Sequence, residues 1–137
     1  MPFVHVSSNV AKDSVDADAA VHALSKALSE ALDRPEQVVM AKLEVGVPMI
    51  FQGSTAVRHN FSTGLIDVTT DLSWEQPCAM IQMRSIGRID AERNPVTVKA
   101  LTDAVHQALA VPIDRIFVTL DDIAMTNWGM NGKLVQL

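Results

Sequence analysis

The chain opens on a short apolar strand, Phe3-Val4-His5-Val6, whose β-branched and aromatic residues suit a pleated, half-buried surface. The period then changes. Val21, Leu24, Leu28 and Leu32 recur at steps of three and four, which is one face of a helix. Ser14 is the expected N-cap, with Asp16 and Asp18 in the first turn, where the helix dipole favours negative charge. This helix is expected to stop before Pro35, and residues 38–45 to return as a strand. The same succession then comes again. Residues 79–84 read as a strand, Asn94 as a cap with Pro95 at the first helical position, and Val98, Leu101, Val105 and Leu109 as the buried stripe. Pro112 ends that helix, and 115–120 form the second return strand.

The two successions keep one register. Leu32 and Leu109 stand 77 positions apart, and at that spacing Val21 meets Val98, Leu24 meets Leu101, Leu28 meets Val105 and Pro35 meets Pro112. So long a period marks two copies of one supersecondary unit rather than a solenoid repeat. Each copy reads β-α-β, a crossover that sets its two strands parallel and its helix on one face. The expected fold class is α/β, with duplicated β-α-β units forming a four-stranded mixed sheet and two helices on one face. The pseudo-repeats span about 2–45 and 79–122 of a single domain, 1–137. The helix-free face is expected to be apolar too, because Val4, Val6, Met40, Ile81, Met83 and Val118 cannot all point at helices. Such a face needs a partner, so an oligomer with its sheets turned inward is expected.

Composition narrows the function classes. At 137 residues the chain is long enough for one real core, and 48% apolar with 20% charged residues is an ordinary globular balance. A net charge of −5 argues against a nucleic-acid partner, which selects a basic face. No stretch of eighteen or more apolar residues suggests membrane insertion, and no basic region followed by an apolar one opens the chain. A cytoplasmic protein is expected, with export by an unconventional route as the alternative. Cys78 is the one cysteine and cannot form an internal disulfide. His5, His22, His59 and His106 are scattered, without zinc-ligand spacing, and no Gly-rich phosphate loop follows a strand, so neither metal nor cofactor is expected.

The candidate chemistry lies at the start. Pro2 follows the initiator methionine. A small second residue generally permits removal of Met1, and the mature chain would then begin with a free secondary amine. A free α-amine titrates at about 7.7–8.0, and burial or a nearby cation moves it down, so that a neutral base is available at physiological pH. Taken alone, Pro2 also reads as a tolerated strand-edge residue.

Several segments together resemble the macrophage migration inhibitory factor family of the tautomerase superfamily. They are Pro2, Ser8-Asn9-Val10, Arg34-Pro35, Phe51 to Ser54, Pro77-Cys78-Ala79, Ser85 to Ile89, Asp114 to Val118, and Asn127 to Gly132. The resemblance implies a MIF-like tautomerase domain that assembles as a homotrimeric barrel, with active sites at subunit boundaries. It implies keto–enol tautomerisation of small aromatic 2-keto acids, of the phenylpyruvate and dopachrome type, with Pro2 as the catalytic acid/base. The alternative is a MIF-like cytokine or cytokine mimic with a vestigial tautomerase site, acting through a cell-surface receptor. Hydration-based dehalogenation on the same scaffold would need extra arginines and acidic groups beside the proline, and the sequence offers no such cluster there.

By resemblance, the substrate-binding residues are Arg34, Ser85, Ile86, Phe117, Thr119 and Trp128. Arg34 stands at the family's lysine position and would grip a carboxylate with a fork rather than a point charge. Taken alone, Arg34 also reads as a charge at a helix C-terminus, Ile86 as core, and Trp128 as an anchor for the tail. The family's active-site tyrosine is Phe117 and its neighbouring asparagine Thr119, so a hydroxyl donor is lost and a more open, less polar pocket is expected. The family's second thiol is Ile81, which leaves no dithiol pair. Residues 57–74 have no counterpart in the family pattern and are expected to form a short hairpin or ordered loop inserted at the sheet end opposite Pro2.

Overall fold

In a computed structural model of the chain, residues 1–53 and 76–136 are described. The expectation for 57–74 lies outside them. Strand β1 is Pro2–Ser8, helix α1 Ala17–Leu32, and β2 Met40–Glu44. The succession repeats as β3, Ala79–Ser85, α2, Asn94–Leu109, and β4, Ile116–Asp122. The strands form one sheet in the order β2-β1-β3-β4. β1 runs parallel to β2, β3 parallel to β4, and the central pair β1–β3 is antiparallel. The sheet is therefore mixed, with two β-α-β units joined back to front.

Both helices lie on one face of the sheet. Leu24, Leu28 and Leu32 of α1 and Leu101, Val105 and Leu109 of α2 pack onto Val4, Val6, Ile81 and Met83 of the central strands. Each helix also buries a residue one position before the expected stripe, Ala20 rather than Val21 and Thr97 rather than Val98. The Thr97 hydroxyl is satisfied by the Arg93 carbonyl at 3.2 Å.

Three expectations are corrected. Val4, Val6, Ile81 and Met83 are wholly buried beneath the helices, and Val118 packs against the same core. The helix-free face carries the alternate residues in rows across the strands, namely Met40, Phe3, Arg84 and Asp121, then Lys42, His5, Gln82 and Thr119, then Glu44, Ser7, Met80 and Phe117. It is a mixed face with exposed apolar points, of which Met40 and Phe117 are 66% and 61% exposed. Strand parity decides this, since a period of two sends Val4 and Phe3 to opposite sides.

The caps differ as well. Asp16 rather than Ser14 caps α1, its carboxylate accepting the Ala19 N–H at 3.1 Å. Ser14 instead closes its own 3₁₀ turn onto the Ala11 carbonyl. Asn94 lies inside the first turn of α2, and the preceding turn is capped by Asp90, which accepts the N–H groups of Glu92 and Arg93. Both helices end on a left-handed residue, Asp33 at φ 52° and Ala110 at φ 58°, ahead of Pro35 and Pro112.

The C-terminus adds an antiparallel pair, β5, Gly129–Met130, and β6, Lys133–Leu134. Asn131 and Gly132 turn between them with φ of 60° and 76°, the two-residue geometry that matches strand twist. Among the described residues, no helix is long and apolar enough to cross a membrane.

Leu28 is fully buried between α1 and the sheet. Leu28→Ala is expected to cost about 2–5 kcal/mol in denaturant unfolding. A loss under about 1 kcal/mol would show that this core is not the one holding the two units together.

Candidate active site

Pro2 begins β1, where a residue without an N–H leaves no ladder bond unmade inside the sheet. It pairs with Ser85, the last residue of β3, and its side chain is fully buried. Ile86 follows at 8% exposure, and the chain then turns through Gly87 and Arg88, both at positive φ. The Ser85 carbonyl accepts the Ile123 N–H at 2.8 Å, and Asp122 accepts the Gly87 N–H, so the end of β4 fastens this turn.

A cleft of about 500 Å³ opens at this end of the sheet. Met1 lines it ahead of β1, Pro2 and Phe3 from β1, Val38 and Met40 from the approach to β2 and its first residue, and Arg84 from β3. Ile123, Asn127, Trp128, Gly129 and Met130 close it from the C-terminal side. The Trp128 carbonyl accepts the Val135 N–H at 2.9 Å, so Trp128 serves both as a wall of the cleft and as an anchor of the tail.

The terminal amine is tuned. In the chain with Met1 present, the α-amine lies below its ordinary value, first because burial disfavours the ammonium and second because Arg34 repels it. Arg34 does not line the cleft. It stands just past α1, its N–H bonded to the Ser29 carbonyl, and its Nε is buried without a hydrogen-bond partner. Arg88 donates to the Leu32 carbonyl at 3.0 Å, completing the helix end beside it. The Ser85 hydroxyl is likewise buried and unpartnered. Two buried polar groups without partners beside a cleft are where a polar ligand would recover the lost hydrogen bonds.

Of the residues expected at the site, the structure gathers Pro2, Ser85, Ile86 and Trp128 at one end, with Arg34 acting on the amine by its charge. It does not bring Phe117 or Thr119 there. Phe117 lies in the row of Ser7 and Met80, five residues along β1 from Pro2, and Thr119 in the row of His5. Along the strand direction alone these rows lie roughly 17 Å and 10 Å from Pro2, and β4 is also two strands to the side. Phe117 instead meets the edge of Phe51 at 5.0 Å, and the Phe51 ring lies 5.2 Å from the guanidinium of buried Arg115. Cys78 is at the same far end, its buried thiol held above the ordinary range by desolvation although Arg115 pulls it down. Arg84, Phe3 and Met40 were missing from the expected site. Antiparallel pairing of Pro2 with Ser85 places Arg84 opposite Phe3, and that is the signal that finds it. Among the described residues, no cluster of His, Cys, Asp and Glu suits a metal ion.

A four-stranded mixed sheet of two β-α-β units under two helices, with a proline at the start of a central strand beside a cleft, is the architecture of the tautomerase superfamily. The sequence model of the macrophage migration inhibitory factor (MIF) family matches residues 1–66 and 66–136, and the chain belongs to that family. Macrophage migration inhibitory factor of Xenopus laevis is 27% identical over 97% of this chain and 97% of its own length. The MIF-like protein mif-2 of Caenorhabditis elegans is 24% identical over 98% and 95%. The structure of a MIF homologue from Prochlorococcus marinus superposes with a TM-score of 0.74 at 27% identity, over 96% of this chain and 97% of that one. MIF from Trichinella spiralis shares the fold with a TM-score of 0.77 at 20% identity, over 97% and 99%.

The amine makes one electrostatic prediction. A folded pKa below the unfolded one means that the folded chain binds fewer protons, so this group adds stability above the unfolded value and loses it as pH falls through the folded value. Arg34→Ala is expected to move the folded amine upward and narrow that window. The pH dependence of α-amine acylation, read by peptide mass spectrometry, checks it. An unmoved midpoint would remove Arg34 as a cause.

Proposed function

We propose that the chain, once Met1 is removed, is a keto–enol tautomerase of the phenylpyruvate and dopachrome type. The observation that carries this reading is the buried Pro2 beside an open cleft, at a chain end where burial and Arg34 hold the amine of Met1, one residue ahead, below its ordinary value. A neutral secondary amine there takes a proton from the carbon next to the substrate carbonyl. The C–H electrons form the new C=C bond, the carbonyl π electrons move onto oxygen, and the prolinium returns its proton to that oxygen as the enol forms. The reverse direction uses the same two protonation states. Arg34, which stands outside the cleft lining of the single chain, draws the substrate carboxylate by its charge and also favours the neutral amine. The apolar walls of Phe3, Met40 and Trp128 take the aromatic ring.

The assembly proposed with this function is a homotrimer whose helix-free faces line a barrel. Exposed Met40 and Phe117 on that face support it. In one chain Phe117 and Thr119 are too distant to touch a substrate at Pro2, so a part for them in catalysis requires a neighbouring copy. A second reading, a MIF-like signalling protein with a vestigial site and a cell-surface receptor, is favoured by the loss of a phenolic hydroxyl at Phe117, since the chain has no tyrosine.

Turnover of phenylpyruvate by protein with a verified N-terminus separates the two. Pro2→Gly is expected to lower kcat/KM by about 10²–10⁴-fold, the usual contribution of a positioned base, with the fold intact by circular dichroism. Protein retaining Met1, whose Pro2 nitrogen is an amide, is expected to fall as far. Equal turnover by all three proteins would exclude Pro2 as the base.

A further inference from the structure

Arg84 is a cation in the cleft wall, and the reaction as proposed gives it no task. It lies on the helix-free face in the row Met40, Phe3, Arg84, Asp121, directly across the ladder from the residue after Pro2. Its side chain lines the cleft together with Pro2. Its ion-pair partner is Asp121, whose carboxylate approaches the Arg84 Nε at 3.8 Å while both side chains are 57% exposed. A contact that long between two solvated groups is weak, and it engages the Nε edge of the guanidinium. The terminal nitrogens of the fork remain available to a ligand. Arg34 lies outside the cleft lining but near enough to act on the terminal amine by its charge. The apolar walls beside Arg84 are Phe3, Met40, Trp128 and Met130, which suit a flat hydrocarbon.

We infer that Arg84 sets substrate preference, and that the cleft binds a 2-oxo acid carrying a second carboxylate at its distal end more tightly than a monoacid such as phenylpyruvate, which it still turns over. The inference rests on the tautomerase reading for the role of Arg34, but its own content is a binding preference. One carboxylate, beside the reacting carbon, lies at the Pro2 end, where the charge of Arg34 favours it. The other reaches the Arg84 fork at the mouth, where an arginine grips a carboxylate in two places as a lysine does not. This makes the cleft more cationic than the loss of a phenol at Phe117 alone suggests, and it puts an arginine beside the proline that the sequence by itself did not show there.

The test is calorimetric binding of two inert probes, 4-carboxyphenylacetate and phenylacetate, to protein beginning at Pro2, with phenylpyruvate turnover measured in parallel. The diacid is expected to bind about tenfold more tightly, the factor of one charge-assisted contact. That advantage should shrink with added salt, since the mouth is exposed. Arg84→Met should reduce it to under about threefold, and Arg84→Lys should keep part of it. No preference for the diacid, no measurable binding of either probe, or a preference that survives Arg84→Met would each overturn the inference. Turnover without a diacid preference would refute the inference alone. A preference lost in Arg84→Met, without turnover by the unaltered protein, would refute the tautomerase reading and leave Arg84 as the selector.

Discussion

The antiparallel pairing of β1 with β3 is the contact on which the rest depends. Each β-α-β unit closes its own parallel pair, but only this ladder joins the two units into one sheet. It buries Val4 and Val6 against Met83 and Ile81, under both helices at once. Its register also fixes chemistry. Pro2 opposite Ser85 brings together the chain's beginning, the turn at Ile86 and, through the ends of α1 and β4, Arg34 and the Asp122 tether. A slip of one residue would turn Val4 and Val6 outward and move Pro2 off Ser85, so core and site are specified by one hydrophobic pattern.

The same geometry explains why an ordinary amine becomes a candidate base. The terminus lies at the edge of a core, where the ammonium loses water, and the end of α1 delivers a guanidinium nearby. Desolvation is the larger cause and Arg34 the second. Both act on the charged form, so neither needs a hydrogen bond to the amine. Arg34 and Ser85 keep buried polar atoms without partners, a cost that a bound carboxylate or hydroxyl would offset. Folding thus leaves polar groups waiting at this end of the sheet, beside a cleft with apolar walls.

Much of this was legible in the sequence, for physical reasons. Leucines at three- and four-residue steps have one helical solution, and the register at 77 residues carried the duplication through strand, helix and strand. Pro35 and Pro112 marked the helix ends because the residue before a proline avoids the helical region. Strand faces were harder. β3 has apolar residues of both parities, Met80 as well as Ile81 and Met83, so alternation alone did not say which face met the helices. The caps were missed because Ser14, Asp16, Asp90 and Asn94 are all competent acceptors, and local turns decided among them. Asn131-Gly132 is a strong hairpin signal, yet the strands it joins are two residues each, too short to show a period. Arg84 entered the site only once pairing was known, because its distance from Pro2 in sequence hides its place across the ladder.

The central claim is that this fold presents a neutral proline amine at physiological pH. The direct measurement is the pH dependence of kcat/KM for phenylpyruvate, on protein whose N-terminus is verified as Pro2. The account predicts a limb that rises with pH and has its midpoint below about 7.7–8.0, the range of an unperturbed α-amine. A midpoint within or above that range, or a rate that ignores pH across it, would contradict the claim.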